Sequence, residues 1–169
     1  MTRERRKLIW LGPSAADAAR FQTVIDDLAQ KQEAPRFSPH MTLASFEAQV
    51  PDIEPALEIL KGLQLNPAGV GQSEVFTQSL FLRVEATEAL LQARAYFKSC
   101  PGFRAGRVFD PHLSLCYGTP PVGAAEMPSV NALLDAPVHF DCLKIVEIQM
   151  PVDSYDAIRA WEDLELYSF

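Results

Sequence analysis

Two short segments of the chain echo each other: Phe37-Ser38-Pro39-His40-Met41-Thr42-Leu43 and Phe109-Asp110-Pro111-His112-Leu113-Ser114-Leu115. Both read Phe, any residue, Pro, His, apolar, hydroxyl, Leu. The chain has 3 histidines in 169 residues, and two of them hold the same place in this repeat. An imidazole titrates near neutrality, so in a facing pair one ring takes a proton from water while the other gives one to a departing oxygen. Side chains two apart on a strand share a face, so His40 projects with Thr42 and His112 with Ser114, leaving Met41, Leu43, Leu113 and Leu115 for the core. If the two halves pack about an approximate two-fold axis, two imidazoles and two hydroxyls meet in one cleft. The hydroxyls donate to the non-bridging oxygens of a tetrahedral phosphate. A cyclic phosphate suits such a site, because its strained ring supplies the leaving group. No metal or other cofactor is called for, and His-x-Ser/Thr offers no close second ligand for a three-histidine metal centre.

The elements that must hold these residues can be read from periodicity and punctuation. Lys7 to Leu11 is a short apolar strand stopped by Gly12-Pro13, and Ser14 with Asp17 forms a capping-box-like helix start. Phe21, Val24 or Ile25, and Leu28 give that helix its buried stripe. Pro35 and Pro39 end it, and Met41 to Phe46 forms a strand with Pro39 at its entrance. Asp52 to Lys61 is a short helix followed by a loop through Asn66-Pro67. Strands are expected over 69–77 and 79–85 around a tight bend, then a helix capped by Thr87, carrying Leu90, Arg94 and Phe97 on one side and closed by Pro101-Gly102. His112 to Tyr117 is the next strand. After Pro120-Pro121 comes loop and weak helix over 122–134, and late strands are expected over 138–150 and 160–167. Helices and strands mix without a regular βαβ rhythm, which predicts an α+β fold with largely antiparallel sheets.

Bulk properties bound the function. A chain of this length makes one domain, and 48% hydrophobic with 22% charged residues is ordinary for a globule. The formal charge of -7 argues against a duplex nucleic acid or other long polyanion held by phosphate contacts, while a small nucleotide remains compatible. The basic run Arg3, Arg5, Arg6 and Lys7 precedes too short an apolar stretch for a signal peptide or membrane span, so a cytoplasmic monomer with no membrane partner is expected. Cys100, Cys116 and Cys142 lack paired metal or redox spacing and are read as free thiols. Arg36, Arg83, Arg104 and Arg107 are candidate phosphate ligands, since a guanidinium meets phosphate oxygens well. His139 lies outside both motifs and is assigned a structural role.

With its two His-x-Ser/Thr motifs, the sequence resembles the two-histidine phosphoesterase superfamily, and within it the cyclic phosphodiesterase branch. The resemblance extends to Ile9-Trp10-Leu11-Gly12-Pro13, Pro35-Arg36-Phe37-Ser38-Pro39-His40, Phe76-Thr77-Gln78-Ser79-Leu80-Phe81 and Pro111-His112-Leu113-Ser114-Leu115-Cys116-Tyr117. It covers most of the chain to about residue 118. It implies a bilobal fold with duplicated antiparallel sheets lining a central cleft and helices outside. It also implies hydrolysis of ADP-ribose 1″,2″-cyclic phosphate and of nucleoside 2′,3′-cyclic phosphates. The implied catalytic set is His40, Thr42, His112 and Ser114, with Trp10 and Tyr117 as substrate-binding aromatics; the sequence leaves open which histidine is acid and which base, with His112 as base and His40 as acid taken as the working order. An enzyme acting on cyclic-phosphate RNA ends or 2′,5′ linkages, and a nucleotide-binding module without turnover, are the alternatives.

Overall fold

The computed structural model describes residues 2–118, 123 and 125–169. The chain runs β1 (Glu4–Pro13), α1 (Ala15–Gln32), β2 (Met41–Phe46), α2 (Glu54–Leu60), β3 (Gln64–Leu65), β4 (Pro67–Gln72), β5 (Leu80–Val84), α3 (Glu88–Ser99), β6 (His112–Cys116), α4 (Met127–Ala132), β7 (Val138–Met150), α5 (Tyr155–Arg159) and β8 (Glu162–Ser168). The strands form two antiparallel sheets. One is ordered β2-β1-β7-β3, with β8 also paired to β7, and the other is β4-β5-β6.

Alternation on β1 explains how the larger sheet serves two faces. Ile9 and Leu11 join the main core, while Leu8 and Trp10 pack with Val146 and Ile148 in a second, smaller cluster. Helices cover the main core, with Phe21, Ile25 and Leu28 of α1 and Leu90 and Phe97 of α3 sealed within it. Helix α1 lies against β6 as well as β1, and α3 lies against β2. Each half therefore lends its helix to the motif strand of the other, and β2 and β6 touch. Met41, Leu43, Leu113 and Leu115 are all buried in this core, as the repeat requires.

The duplication extends to the pairing register. Trp10 on β1 sits opposite Thr42 on β2, directly after a register shift between Ile9 and Trp10. Phe81 on β5 sits opposite Ser114 on β6, directly after a shift between Leu80 and Phe81. A bulge re-aims the side chains beside it. Equivalent irregularities thus set an aromatic ring next to each motif.

Two local expectations are revised, and a third is met. The strand expected over 69–77 ends at Gln72, and Phe76–Gln78 curls into a 3-10 turn. Ser73 is the cause, since its hydroxyl donates to the Gln78 carbonyl (2.6 Å) and accepts from the Val75 N–H (3.2 Å), offering the backbone an alternative to the ladder. Ser14 makes no side-chain cap on α1; its hydroxyl turns to the Asp17 carboxylate instead (3.4 Å). The weak helix expected over 122–134 is α4 followed by a 3-10 turn at Leu133–Asp135, while Val122 lies outside the described residues. Thr87 does cap α3, accepting from the Leu90 N–H at 3.3 Å.

Asp17 explains why Ser14 is diverted. The carboxylate accepts from the His139 backbone N–H (2.7 Å), the His139 Nδ1 (3.1 Å) and the Arg20 Nε (2.8 Å). Arg20 continues to the Leu133 and Pro137 carbonyls. His139 is thus a tie between α1 and β7. Burial alone would raise the Asp17 pKa, but the hydrogen bonds from His139 and Arg20 outweigh it and hold the carboxyl below its usual range. A depressed carboxylate stabilises the fold above its unfolded pKa and loses that contribution as pH falls through the folded value. Asp17→Ala is expected to lower unfolding free energy by about 2–4 kcal/mol in urea titration at neutral pH. The deficit against wild type should shrink in acid.

Candidate active site

Proline dictates the first feature of the site. The residue before a proline is pushed out of the helical region into extended backbone. In both motifs that residue turns its carbonyl onto the histidine two places on. His40 Nδ1 lies 2.7 Å from the Ser38 carbonyl oxygen, and His112 Nδ1 lies 2.7 Å from that of Asp110. A carbonyl only accepts, so Nδ1 carries the proton in each ring. The reactive nitrogen of each neutral imidazole is therefore Nε2.

Both rings line one cavity of about 560 Å³. Thr42, Ser114, Trp10 and Tyr117 line it as well, so all six residues singled out in the sequence meet there. Thr42 is exposed on the cavity wall, and Ser114 is buried with its hydroxyl 3.4 Å from the Thr77 carbonyl. The volume is that of a small-molecule cleft.

The two half-sites share a backbone plan and differ in environment. His40 is buried at 6% exposure, whereas His112 is half-buried. Trp10 stacks on the His40 ring at 3.6 Å between centroids and 14° between planes. Trp161 meets the same ring edge-on at 5.8 Å, and the Tyr117 hydroxyl is 3.5 Å from His40 Nε2. His112 meets Phe81 at 5.2 Å and a 63° tilt. Burial is the main cause that lowers the His40 pKa to about 4, opposed by the bond to Ser38 and assisted by the charges of His112 and Lys144. His40 therefore rests neutral across the neutral range. Burial likewise raises the Tyr117 phenol, keeping it protonated as a donor.

The candidate arginines divide. Arg104 and Arg107 line the cavity; Arg36 and Arg83 do not, and Arg83 is paired with Asp110 at 3.2 Å. Two further arginines line the cavity: Arg6, from the basic run read chiefly as a solvated strand start, and Arg94, read only as part of a helix face. Arg6 reaches the wall from β1, and Arg94 from α3, where it lies over the Phe103 and Phe109 rings and donates to the Leu43 carbonyl (2.6 Å). Strand alternation could have found Arg6, which stands two and four residues before Leu8 and Trp10 on the same face. Four arginines and one carboxylate, Asp110, line the cavity, with Arg6 paired to Glu4 at 3.1 Å and Arg104 paired to Glu47 outside it, so the lining itself carries more basic than acidic groups. Among the described residues no group of three His, Cys, Asp or Glu side chains is arranged to hold a metal, and no helix is long and apolar enough to cross a membrane.

No family model matches the sequence. A cyclic phosphodiesterase of Arabidopsis thaliana is 27% identical over 114 residues, which is 64% of this chain and 63% of that protein. The match thus spans less than two-thirds of the relative's length. The solved structure of E. coli LigT complexed with 3'-AMP superposes with a TM-score of 0.55 at 16% identity, covering 97% of each chain. LigT complexed with NADP+ gives 0.55 at 17% identity, again over 97% of each. At such identities the likeness is one of fold, and it extends over the α+β architecture with both sheets. The two hydroxyl residues of the cavity, Thr42 and Ser114, have a direct test. Inorganic phosphate should bind the wild-type chain, and Thr42→Val or Ser114→Ala should weaken it by about 10-fold or more in calorimetric titration, the loss of a hydrogen bond to a charged group.

Proposed function

We propose that this chain, a member of the two-histidine phosphoesterase superfamily, is an enzyme that hydrolyses small cyclic phosphates, acting as a monomer and without a metal. Its proposed substrates are ADP-ribose 1″,2″-cyclic phosphate and nucleoside 2′,3′-cyclic phosphates, opened to the corresponding monophosphates. The observation that carries this reading is that both histidines and both hydroxyl residues line one cavity, with each imidazole held at Nδ1 by a carbonyl. The kinship to a cyclic phosphodiesterase adds weight.

The reaction follows from the proton inventory. His40 rests neutral, so its Nε2 takes a proton from water as the water oxygen bonds to phosphorus. His112 in its imidazolium form gives the Nε2 proton to the departing ring oxygen as the phosphorus–oxygen bond breaks. Water has then been added across that bond, and exchange of one proton between the rings and solvent restores the starting state. Thr42, Ser114 and the cavity arginines offset the negative charge that gathers on the non-bridging oxygens. Burial of His40 thus favours it as base and His112 as acid, the reverse of the working order taken from the sequence.

The cavity's volume of about 560 Å³ and the chain's formal charge of -7 favour a mononucleotide-like substrate over a long RNA end. Hydrolysis of both substrate types should proceed in excess EDTA. His40→Ala or His112→Ala should each lower kcat by about 10²–10⁴-fold. Full activity in either variant would refute the paired mechanism, and tight nucleotide binding without any turnover in wild type would make the chain a binding module. The pH profile separates the roles. With His40 as base, kcat/KM should hold as pH falls past 6.5 and drop only on approach to about 4.

A further inference from the structure

Duplication alone would give two equivalent histidines. Both have the same preceding proline, the same Nδ1 to carbonyl distance of 2.7 Å, and an aromatic neighbour set by the same strand irregularity. A catalytic pair that divides acid from base cannot remain equivalent, so something outside the repeat must distinguish its members. We propose that Trp161, which belongs to neither motif, is a positioning residue that makes the two histidines unequal by closing one side of His40 against water. This inference rests on the reading of His40 and His112 as a proton-transfer pair.

Trp161 directly precedes β8 and reaches the site through the β7 to β8 pairing. Its ring meets Trp10 edge-on at 5.1 Å, His40 at 5.8 Å and Tyr117 at 5.6 Å. With Trp10 stacked on one face of the imidazole, the Trp161 edge blocks a second approach and leaves the cavity side open. No tryptophan stands in the equivalent place beside His112 among the described residues, where Phe81 is the ring in contact. The chain has 2 tryptophans, and both touch the same imidazole.

Packing alone does not account for the choice of residue. The indole Nε1 of Trp10 and that of Trp161 are both buried with no hydrogen-bond partner in the protein. Such a donor costs roughly 1–3 kcal/mol, which phenylalanine would avoid. The larger ring covers more of His40, and that cover is the gain set against the unmet donor.

The charges that face His40 do not explain its state. They are His112 on β6, Lys144 on β7 and Asp163 on β8, with the Tyr117 hydroxyl beside Nε2. Lys144 and Asp163 pair with each other at 3.0 Å, and their effects on His40 oppose. Desolvation is the larger influence, and Trp161 is one of the rings around His40, with Trp10 and Phe37.

The test is an NMR titration of the His40 ring, assigned by its loss in His40→Asn, together with the pH profile of kcat/KM. In Trp161→Ala water reaches the imidazole, so the His40 midpoint should rise by about one unit or more, and the acidic limb of kcat/KM should rise with it. Trp161→Phe should restore most of the wild-type midpoint. Should the alanine variant not fold, Trp161→Leu keeps the bulk and predicts a smaller shift in the same direction. An unmoved His40 midpoint in whichever of these two variants is folded would overturn the proposal. The NMR reading needs no turnover, so it stands apart from failure of the hydrolytic reading, which absent activity in wild type would reveal.

Discussion

The site depends on a backbone constraint that two prolines impose. Pro39 and Pro111 hold the preceding residue extended, and that residue's carbonyl then fixes the Nδ1 proton of the following histidine. A histidine without that bond would exchange tautomers and rotate. With it, Nε2 becomes the free nitrogen in both rings, and strand alternation brings a hydroxyl to the same face two residues on. The cross-packing of α1 on β6 and α3 on β2 then holds the motif strands β2 and β6 side by side.

Within this near-symmetric frame the two histidines sit in unequal surroundings, on which the proposed chemistry depends. His40 is enclosed by Trp10, Trp161, Phe37 and Tyr117, while His112 stays half-buried beside Phe81. Burial strips water from the first imidazole and disfavours its charged form. The arginines of the same cavity supply positive charge that an anionic phosphate needs and that the acidic chain as a whole does not offer. The mixture of a dry histidine, a wetter histidine and a cationic wall suits a reaction in which one ring accepts a proton and the other donates.

What could be read from the sequence was what the repeat duplicated or what periodicity marked. His40, Thr42, His112 and Ser114 were legible because identical frames flank them, and the core stripe of α1 because Phe21, Ile25 and Leu28 recur at helical spacing. Trp161 was not, since it reaches His40 only after β7 has paired with β1 and β8 has paired with β7. Arg94 was read as part of a helix face, and its place at the cavity follows from α3 crossing to β2. The turn at Phe76–Gln78 was hidden by apolar residues that also suit a strand, and only the hydroxyl of Ser73 decides it. Ser14 was misread for a related reason, because the spacing of a capping box does not reveal that His139 and Arg20 compete for Asp17.

The central claim is that both imidazoles act on one phosphorus. A crystal structure with a nucleoside vanadate, which takes the five-coordinate geometry of phosphoryl transfer, tests it most directly. The account predicts vanadate oxygens within hydrogen-bond distance of both Nε2 atoms and of the Thr42 and Ser114 hydroxyls, with the two histidines on opposite sides of the metal centre. Vanadate seated on the arginines away from the histidines, or touching one Nε2 alone, would contradict it.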